Sequence, residues 1–485
     1  MHRFRCLILI LFALCLLAPL GAVSALAGEQ ACDNRVNNTH KKLLECVTVE
    51  GVLEHQAALQ AIADANGGDR FSGTAGFNES VDYVVAAMTA AGYNVTVEPF
   101  VHEVFYQAGP STLEQVAPLA AVYVEGGDYA LLTHTAAGDV TAPVTAVDLQ
   151  LGLGNTSTSG CEAADFAGFP AGNIALLQRG TCTFQLKAEN AAAAGAVGAI
   201  IFNQGNAPER TGLFTGTLGA AYAGGIPVMS SSYDRGVEWA TTPGLVLHMA
   251  TDVFRGPITD YNVLAESTTG DPSSVVMVGA HLDSVDGGPG INDNGSGSAA
   301  ILEVALQMAK VKPRNLVRFA WWGGGEQGRL GSIDYLSSLS AGELEDIALY
   351  LNFDAVGSPN FVRFVYDGDG SASGAPGPAG SEAIEALFEG FHADLGLAVE
   401  PTAIGGSDDA PFAAAGIPVG GVFSGATGIK TAEQAAIYGG TAGVAYDPCY
   451  HLACDTFANV SLEALDLNAD AIAHAVLHYA MNAAP

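Results

Sequence analysis

The sequence is poor in basic side chains. Lys and Arg contribute 18 residues against 51 Asp and Glu, which gives a formal net charge of −33. Such a field repels polyanions and anionic lipid headgroups, so neither nucleic acid nor a membrane is expected as a partner. The chain also lacks the low hydrophobicity of a disordered protein, because 49% of its residues are hydrophobic. Its 485 residues are enough for several domains.

Long apolar runs are missing as well, except at the N-terminus. Basic side chains precede the apolar run 6–20, and small residues follow up to Ala27. This arrangement is typical of a cleaved secretory signal, so residues 1–27 are predicted to be a signal peptide. An uncleaved anchor helix is less favoured because the run is short for a membrane span. We therefore expect a secreted or periplasmic protein with no membrane contact after signal cleavage.

Cysteines in a paired C-x-x-C metal knuckle are also absent. Of eight cysteines, two lie inside the predicted signal and six remain. The six form local pairs along the chain: Cys32 and Cys46, Cys161 and Cys182, Cys449 and Cys454. Disulfides are the expected state in an oxidising compartment, although spacing alone leaves the connectivity open.

The distribution of apolar residues predicts an α/β domain with an insertion. Helical spacing at 52–66 and 80–91, followed by strand-like alternation at 93–99, opens the α/β domain. Residues 111–252 are rich in Gly and Ala and carry short β-like runs around one helix at 184–194, so they are predicted to be a separate inserted domain. The predicted main domain then comprises residues 28–110 and 253–485.

Buried-type strands alternate with helices after residue 253. The strand runs are 275–280, 316–322, 348–353 and 419–423, and the helical runs are 298–309, 332–339, 381–395 and 462–481. This alternation indicates a largely parallel sheet covered by helices on both faces. In such sheets the chemistry gathers beyond the carboxyl ends of the strands.

Five possible metal ligands follow these strands or tight turns. They are His281, Asp293, Glu326, Asp354 and His451. Each one singly could be a structural side chain, a helix cap or a surface charge, but together two histidines and three carboxylates suit zinc. Five ligands are too many for one catalytic ion, whereas two ions about 3.5–4 Å apart can share a carboxylate, for which Asp293 is the natural candidate. Asp283 can accept a hydrogen bond from the other ring nitrogen of His281.

Several motifs in this order resemble the secreted two-zinc aminopeptidases of the bacterial leucyl aminopeptidase type. They are HLDS at 281, GINDNGSG at 290, FAWWG at 319 with the E and GxxGS after it, LNFDAVG at 351, SDDAPF at 407 and YDPCYH at 446. The resemblance covers residues 50–105 and 255–482. The insertion resembles a mostly-β protease-associated domain through GC at 160, IALLQRGTCTF at 174 and NAAAAGAVGAIIFN at 190. That likeness implies a disulfide between Cys161 and Cys182.

The resemblance implies a zinc exopeptidase fold and an enzyme that removes N-terminal residues from peptides or proteins. It implies one zinc on His281 and Asp354, a second on Glu326 and His451, and Asp293 as the bridge. It also implies that Asp283 orients His281 and that Tyr450 donates to the oxyanion of the tetrahedral intermediate. A monomer is expected.

One position departs from the family pattern. In the family two consecutive glutamates follow the strand, and the first is the general base while the second is a metal ligand. Here residues 323–332 read GGGEQGRLGS, and the flanking motifs place Gly325 at the base position and Glu326 at the ligand position. A one-residue slip would make Gln327 a ligand, which is less favoured because an amide oxygen binds zinc poorly. Because a general base typically contributes about 10²–10⁴-fold, we expect zinc binding with impaired peptidase activity.

Other functions stay open on the same scaffold. Gly325 favours a non-catalytic zinc-containing peptide-binding protein, as the transferrin receptor has this plan without the activity. A carboxypeptidase would need arginines near the site, where only Arg329 is present. A glutaminyl cyclase-like transferase uses one zinc, and the presence of both His281 and Asp354 argues against it. The loop 405–409 lacks the Arg or His that some relatives place near the substrate, so the residue preference is open.

Overall fold

The computed structural model of this chain describes Cys32 and residues 34–485. The predicted signal peptide therefore lies outside the described residues. The chain forms two compact units, one of the described residues up to Phe100 with Thr259–Pro485 and one of Val101–Ile258. The second unit is longer than the predicted insertion, 111–252, because it also includes parts of the two long strands at its ends. The predicted domain boundaries therefore stay a prediction. Within the described part of the chain, no helix has both the length and the apolarity needed to cross a membrane.

Most of the helices begin at a side chain that caps them, and those that start at Leu330, Ser381 and Asp409 do not. They are α1 (His40–Leu44), α2 (Val49–Ala65), α3 (Ala75–Ala91), α4 (Phe184–Ala193), α5 (Tyr233–Thr241), α6 (Gly295–Met308), α7 (Leu330–Ser338), α8 (Ala341–Asp346), α9 (Ser381–Asp394), α10 (Asp409–Ala414), α11 (Ala432–Tyr438) and α12 (Leu462–Met481). In α3, for example, Thr74 accepts a hydrogen bond from the Phe77 amide, and Gly92 ends the helix at a φ of 90°. A hydroxyl at the start and a left-handed glycine at the end are standard helix boundaries.

The strands form two separate eight-stranded sheets. They are β1 (Asn94–Gln107), β2 (Thr112–Ala117), β3 (Ala121–Val122), β4 (Tyr129–Leu131), β5 (Gly138–Ala146), β6 (Ile174–Gln178), β7 (Gly198–Phe202), β8 (Val228–Ser231), β9 (Val246–Thr251), β10 (Val253–Glu266), β11 (Asp271–His281), β12 (Asn315–Trp322), β13 (Ile347–Phe353), β14 (Phe364–Tyr366), β15 (Glu400–Thr402) and β16 (Val419–Phe423). The main sheet has the order β1-β10-β12-β11-β13-β16-β14-β15, and the sheet of the insertion has the order β3-β2-β9-β5-β6-β7-β8-β4.

The centre of the main sheet is parallel. Strand β11 pairs in parallel with β12 and β13, and β13 pairs in parallel with β16. Antiparallel pairs flank this centre, β10 with β12 on one side and β14 with β16 on the other. The predicted largely parallel sheet is therefore confirmed.

Alternate residues of β11 enter two different cores. Val276 and Val278 belong to the core that includes residues of α2, α3, α6, α9 and α12. Val275 and Met277 belong to a smaller core with Tyr335 of α7 and Phe412 of α10. Since successive side chains of a strand point to opposite faces, helices cover both faces of the sheet, as the continuous apolar strands predicted.

The insertion is mostly β, with β5, β6, β7 and β8 in parallel and antiparallel strands on either side. Its β6 and β7 are buried along their whole length. All six remaining cysteines form disulfides, in the local pairs Cys32–Cys46, Cys161–Cys182 and Cys449–Cys454. The predicted disulfides and the predicted mostly-β character of the insertion are thus confirmed.

Candidate metal centre

Three site segments leave the main sheet side by side. His281 is the last residue of β11 and is in register with Trp322, the last residue of β12. Gly279 of β11 is in register with Asn352 of β13, and Asp354 follows that strand directly. The carboxyl ends of these parallel strands therefore place His281, the segment after Trp322 and Asp354 at one edge of the sheet.

Five side chains from this edge and its loops form two groups that share one carboxylate. The first group is His281, Asp293 and Asp354, and the second is Asp293, Glu326 and His451. Within the first group, Nε2 of His281 lies 3.4 Å from Oδ1 of Asp293 and 3.7 Å from Oδ1 of Asp354. Within the second, Nε2 of His451 lies 3.1 Å from Oδ2 of Asp293 and 3.0 Å from Oε2 of Glu326. The two oxygens of Asp293 thus face different groups.

The polar atoms of these groups suit a cation. Oδ2 of Asp293 and Oε1 of Glu326 are buried and accept no hydrogen bond, which is costly for a carboxylate unless another partner compensates. Burial and the charge of Asp293 raise the pKa of Glu326 to about 7. Burial lowers the pKa of His451, but Asp293 and Glu326 raise it overall to about 10. Imidazole nitrogen and carboxylate oxygen in this arrangement are a donor set that zinc accepts.

Asp283 lies behind His281 and also holds the neighbouring loop. The side chain is fully buried, and its Oδ1 is 3.4 Å from Nδ1 of His281. Oδ1 accepts a hydrogen bond from the Gly325 amide at 2.9 Å, and Oδ2 accepts one from the Glu326 amide at 3.1 Å. The backbone carbonyl of Asp283 is the hydrogen-bond partner of Nδ1 of His281, at 3.2 Å. Asp283 therefore positions a candidate ligand ring together with the backbone of Gly325 and Glu326.

Gly325 is packed directly against a candidate ligand. A Cβ atom added at Gly325 would lie 2.4 Å from Cβ and 2.5 Å from Cγ of His281. The position that the sequence assigned to the general base therefore carries no carboxylate, and the side chain of His281 fills the space where one would begin.

Tyr450 and His451 lie in the loop that the Cys449–Cys454 disulfide closes. Their rings stack with centroids 3.9 Å apart. Burial and the charges of Asp293 and Asp354 raise the pKa of Tyr450 far above its ordinary value. The phenol therefore stays protonated and can donate a hydrogen bond.

Arg70 is a residue of the site that the sequence analysis missed. It is fully buried and donates through its guanidinium to the carbonyl oxygens of Leu282, Pro289 and Gly290. These carbonyls lie next to His281 and just before Asp293. The sequence around it, RFSGT at 70–74, has no spacing that links Arg70 to these loops.

Three further side chains fix the ligand-bearing loops. Oγ of Ser72 accepts a hydrogen bond from the Gly324 amide at 2.9 Å. The carboxylate of Asp455 accepts from the amides of Asn292 and Asp293, both at 2.9 Å. Oγ of Ser407 donates to Oδ2 of Asp354 at 2.6 Å. No pattern of spacing in the sequence links these residues to the loops that they support.

The loop 405–409 and Arg329 are tied to each other and to the sheet edge. Arg329 donates to the carbonyl of Gly405 at 3.0 Å. Ser332 donates to Oδ1 of Asp408 at 2.5 Å, and Asp409 accepts from the amide of Ser407 at 2.9 Å. A carboxypeptidase would need an arginine near the site to bind the terminal carboxylate of its substrate. The guanidinium of Arg329 instead donates to a backbone carbonyl.

An α/β domain with two adjoining ligand groups at the carboxyl ends of parallel strands defines a metal-dependent hydrolase scaffold. The family model "Peptidase family M28" matches residues 262–476, and the PA domain model matches residues 140–239. The chain is 54% identical over 432 residues to an aminopeptidase of Pseudomonas aeruginosa, covering 89% of this chain and 81% of that protein. It therefore belongs to peptidase family M28.

Two further comparisons agree with this membership. The chain is 40% identical over 451 residues to leucine aminopeptidase 2 of Trichophyton equinum, covering 91% of this chain and 86% of that protein. Among solved structures it matches BSAP, a zinc aminopeptidase from Bacillus subtilis, with a TM-score of 0.61 and 26% identity over 90% of this chain and 96% of that one.

Proposed function

We propose that this chain is an exported zinc-dependent aminopeptidase whose turnover is reduced because Gly325 occupies the general-base position. The observation that carries the proposal is the pair of ligand groups that share Asp293, with two buried carboxylate oxygens left without a hydrogen bond. Membership of family M28 and the relatives named aminopeptidase support the reaction class.

One ion would be held by His281, Asp293 and Asp354, and a second by Asp293, Glu326 and His451. When bound, zinc supplies Lewis-acid polarisation of a carbonyl and acidifies water. Asp283 would keep the ring of His281 and the segment of Gly325 and Glu326 in place through the contacts described above.

The side chains of this protein would supply only part of what peptide hydrolysis needs, namely stabilisation of the oxyanion but not proton transfer by a base. Tyr450 would donate to the oxyanion that forms when a peptide carbonyl becomes tetrahedral. A carboxylate at position 325 would accept a proton from water and deliver it to the leaving amine, and Gly325 can do neither. Turnover is therefore expected to fall by about 10²–10⁴-fold relative to a chain with a working base.

A non-catalytic zinc-containing peptide binder is the second candidate. The close contact between Gly325 and His281 favours it, because the site has no space set aside for a base.

Export is supported by the three disulfides, which are typical of oxidising compartments such as the periplasm or the medium.

Zinc content and peptide hydrolysis measured on the same purified sample test the proposal. We expect two zinc equivalents per chain and slow release of N-terminal residues from leucine p-nitroanilide. Asp293→Ala should lose both zinc ions and all release, because the carboxylate belongs to both groups. Absence of zinc from the parent chain contradicts the metal centre. Two zinc ions with no turnover, but with a peptide that binds and persists, favours the binder.

A further inference from the structure

A pocket of about 460 Å³ adjoins the candidate metal centre, and both Asp354 and Tyr450 line it. Small and apolar residues form much of its wall, among them Ala355, Ala403, Gly406, Phe423 and Ala426. Tyr366 adds a phenol to this wall. Thr402 and Ser407 also line the pocket, and the hydroxyl of Ser407 donates to Asp354. The wall therefore combines apolar side chains with the hydroxyl-bearing residues Tyr366, Thr402 and Ser407.

The hydroxyl of Tyr366 is the last member of a hydrogen-bond chain that begins at an indole. Nε1 of Trp322 lies 2.9 Å from the hydroxyl of Tyr350. That hydroxyl lies 2.9 Å from Oδ1 of Asn352, and Nδ2 of Asn352 lies 3.0 Å from the hydroxyl of Tyr366. All four side chains are buried.

The direction of this chain follows from its donors and from burial. An indole N–H can only donate, so the oxygen of Tyr350 accepts from Trp322. Tyr350 is fully buried, and its hydroxyl donates to Oδ1 of Asn352. The amide nitrogen of Asn352 then donates to Tyr366. As a result, Tyr366 uses its oxygen as an acceptor, and its own O–H has no acceptor among the described residues.

The surroundings keep this arrangement in place. A Cβ at Gly279 would lie 2.4 Å from the hydroxyl of Tyr350 and 2.7 Å from Nε1 of Trp322, so a glycine leaves room for that pair. Burial, followed by the charges of Asp409 and Asp354, raises the pKa of Tyr366 well above its ordinary value. The phenol is thus a permanent donor at the pocket wall.

We propose that Tyr366 is a specificity-determining residue that donates a hydrogen bond to an acceptor on the side chain of the substrate's N-terminal residue. This inference rests on the aminopeptidase function proposed above. A donor at this position favours N-terminal residues whose neutral side chains carry an oxygen or sulfur acceptor, such as glutamine and methionine. Cationic side chains have no acceptor to offer.

Matched pairs of substrates isolate this hydrogen bond. We would compare kcat/KM for the p-nitroanilides of glutamine and its hydrocarbon analogue homoleucine, and of methionine and norleucine. Within each pair the shape is kept and the acceptor is lost. A neutral hydrogen bond of ordinary strength changes such a ratio by about twofold to tenfold, with the smaller change for the weak thioether acceptor.

Tyr366→Phe should reduce the preference for glutamine over homoleucine by about twofold to tenfold. Tyr93→Phe is the control, because that phenol is half-buried and donates to the carbonyl of Ala305, away from the pocket. Thermal melting of each variant reports on folding, since the amide of Asn352 loses its partner in Tyr366→Phe. Should that variant fail to fold, the preference of the parent for methionine over norleucine is the measurement that decides.

Unchanged ratios in a folded Tyr366→Phe variant, or a parent that does not distinguish methionine from norleucine, would overturn the inference and leave the proposed function intact. A zinc-loaded parent that hydrolyses none of the anilides would instead count against the proposed function. In that case calorimetric binding of free L-methionine, L-glutamine and L-norleucine to the parent and to Tyr366→Phe tests the pocket. Equal affinities in the two proteins would overturn the inference there too.

Discussion

Restoring a side chain at Gly325 separates two effects that the structure places at one position. A Cβ there would lie 2.4 Å from Cβ of His281, whereas ordinary carbon contacts are about 3.5–4 Å. Any larger residue must therefore move the His281 ring or the loop of residues 323–326 by about 1 Å. Gly325→Gln brings this crowding without a base, and Gly325→Glu brings the same crowding with a base.

The magnitudes follow from the two effects. Overpacking typically costs about 1–3 kcal/mol of folding free energy, so the free energy of unfolding of Gly325→Gln should lie below that of the parent by about this amount. The Glu variant should show a similar loss of folding free energy, because it brings the same crowding. The kcat/KM of Gly325→Glu should exceed that of Gly325→Gln by about 10²–10⁴-fold because it regains proton transfer.

The assay is kcat/KM on leucine p-nitroanilide across pH, with the zinc content of each variant measured in parallel. Gly342→Glu serves as a control, because a Cβ at that position meets open space. Equal rates for the Gln and Glu variants at every pH, with zinc bound in both, would refute the assignment of Gly325. A Gln variant as stable as the parent in chemical denaturation would refute the crowding argument.

Three other outcomes follow from contacts and charges already described. Asp283→Asn should weaken zinc binding about 10- to 100-fold in a chelator competition, because it loosens His281, and unchanged affinity would contradict this role. Tyr450→Phe should lower kcat about 10²–10³-fold at constant zinc content, and a loss of zinc instead would show a structural role. His40, His474 and His478 stack near one another, and burial lowers the pKa of each, that of His474 to about 4. Because the pKa values of these histidines are lower in the folded state than in the unfolded state, their protonation destabilises the fold. The free energy of unfolding should therefore be unaffected by them above about pH 6.5 and should decline as the pH falls toward 4. Chemical denaturation of the parent and of His474→Phe at pH 7 and 5 should show a smaller decline in the variant.

Strand and helix identity could be predicted where apolar periodicity is long, and the ends could not. The strand at 419–423 agrees with β16 as it stands, while the run at 275–280 became the longer β11, Asp271–His281. The helix at 298–309 begins earlier, at Gly295, because Oδ1 of Asn294 accepts from the Gly297 amide. Short elements such as α8 and β15 escaped prediction because a single turn or three residues carry too little periodicity.

The ligand candidates were accessible from the sequence because they follow buried strands or lie in conspicuous turns. Arg70, Ser72 and Asp455 were not accessible, because they act through backbone groups far away along the chain. The contact between Gly325 and His281 also depends on how two strand ends lie side by side, which no spacing along one segment encodes. The glycine at 325 is read directly from the sequence, whereas its close approach to His281 is a property of the packing.

The contacts of Arg70 carry a consequence for how the protein is made. This arginine precedes the insertion, yet it anchors loops of Leu282 and Gly290 that follow it, while His451 and Asp455 lie near the end of the chain. These loops therefore reach their final form only when residues from 70 to 455 have come together. On the function proposed above, zinc would bind late in the maturation of the protein.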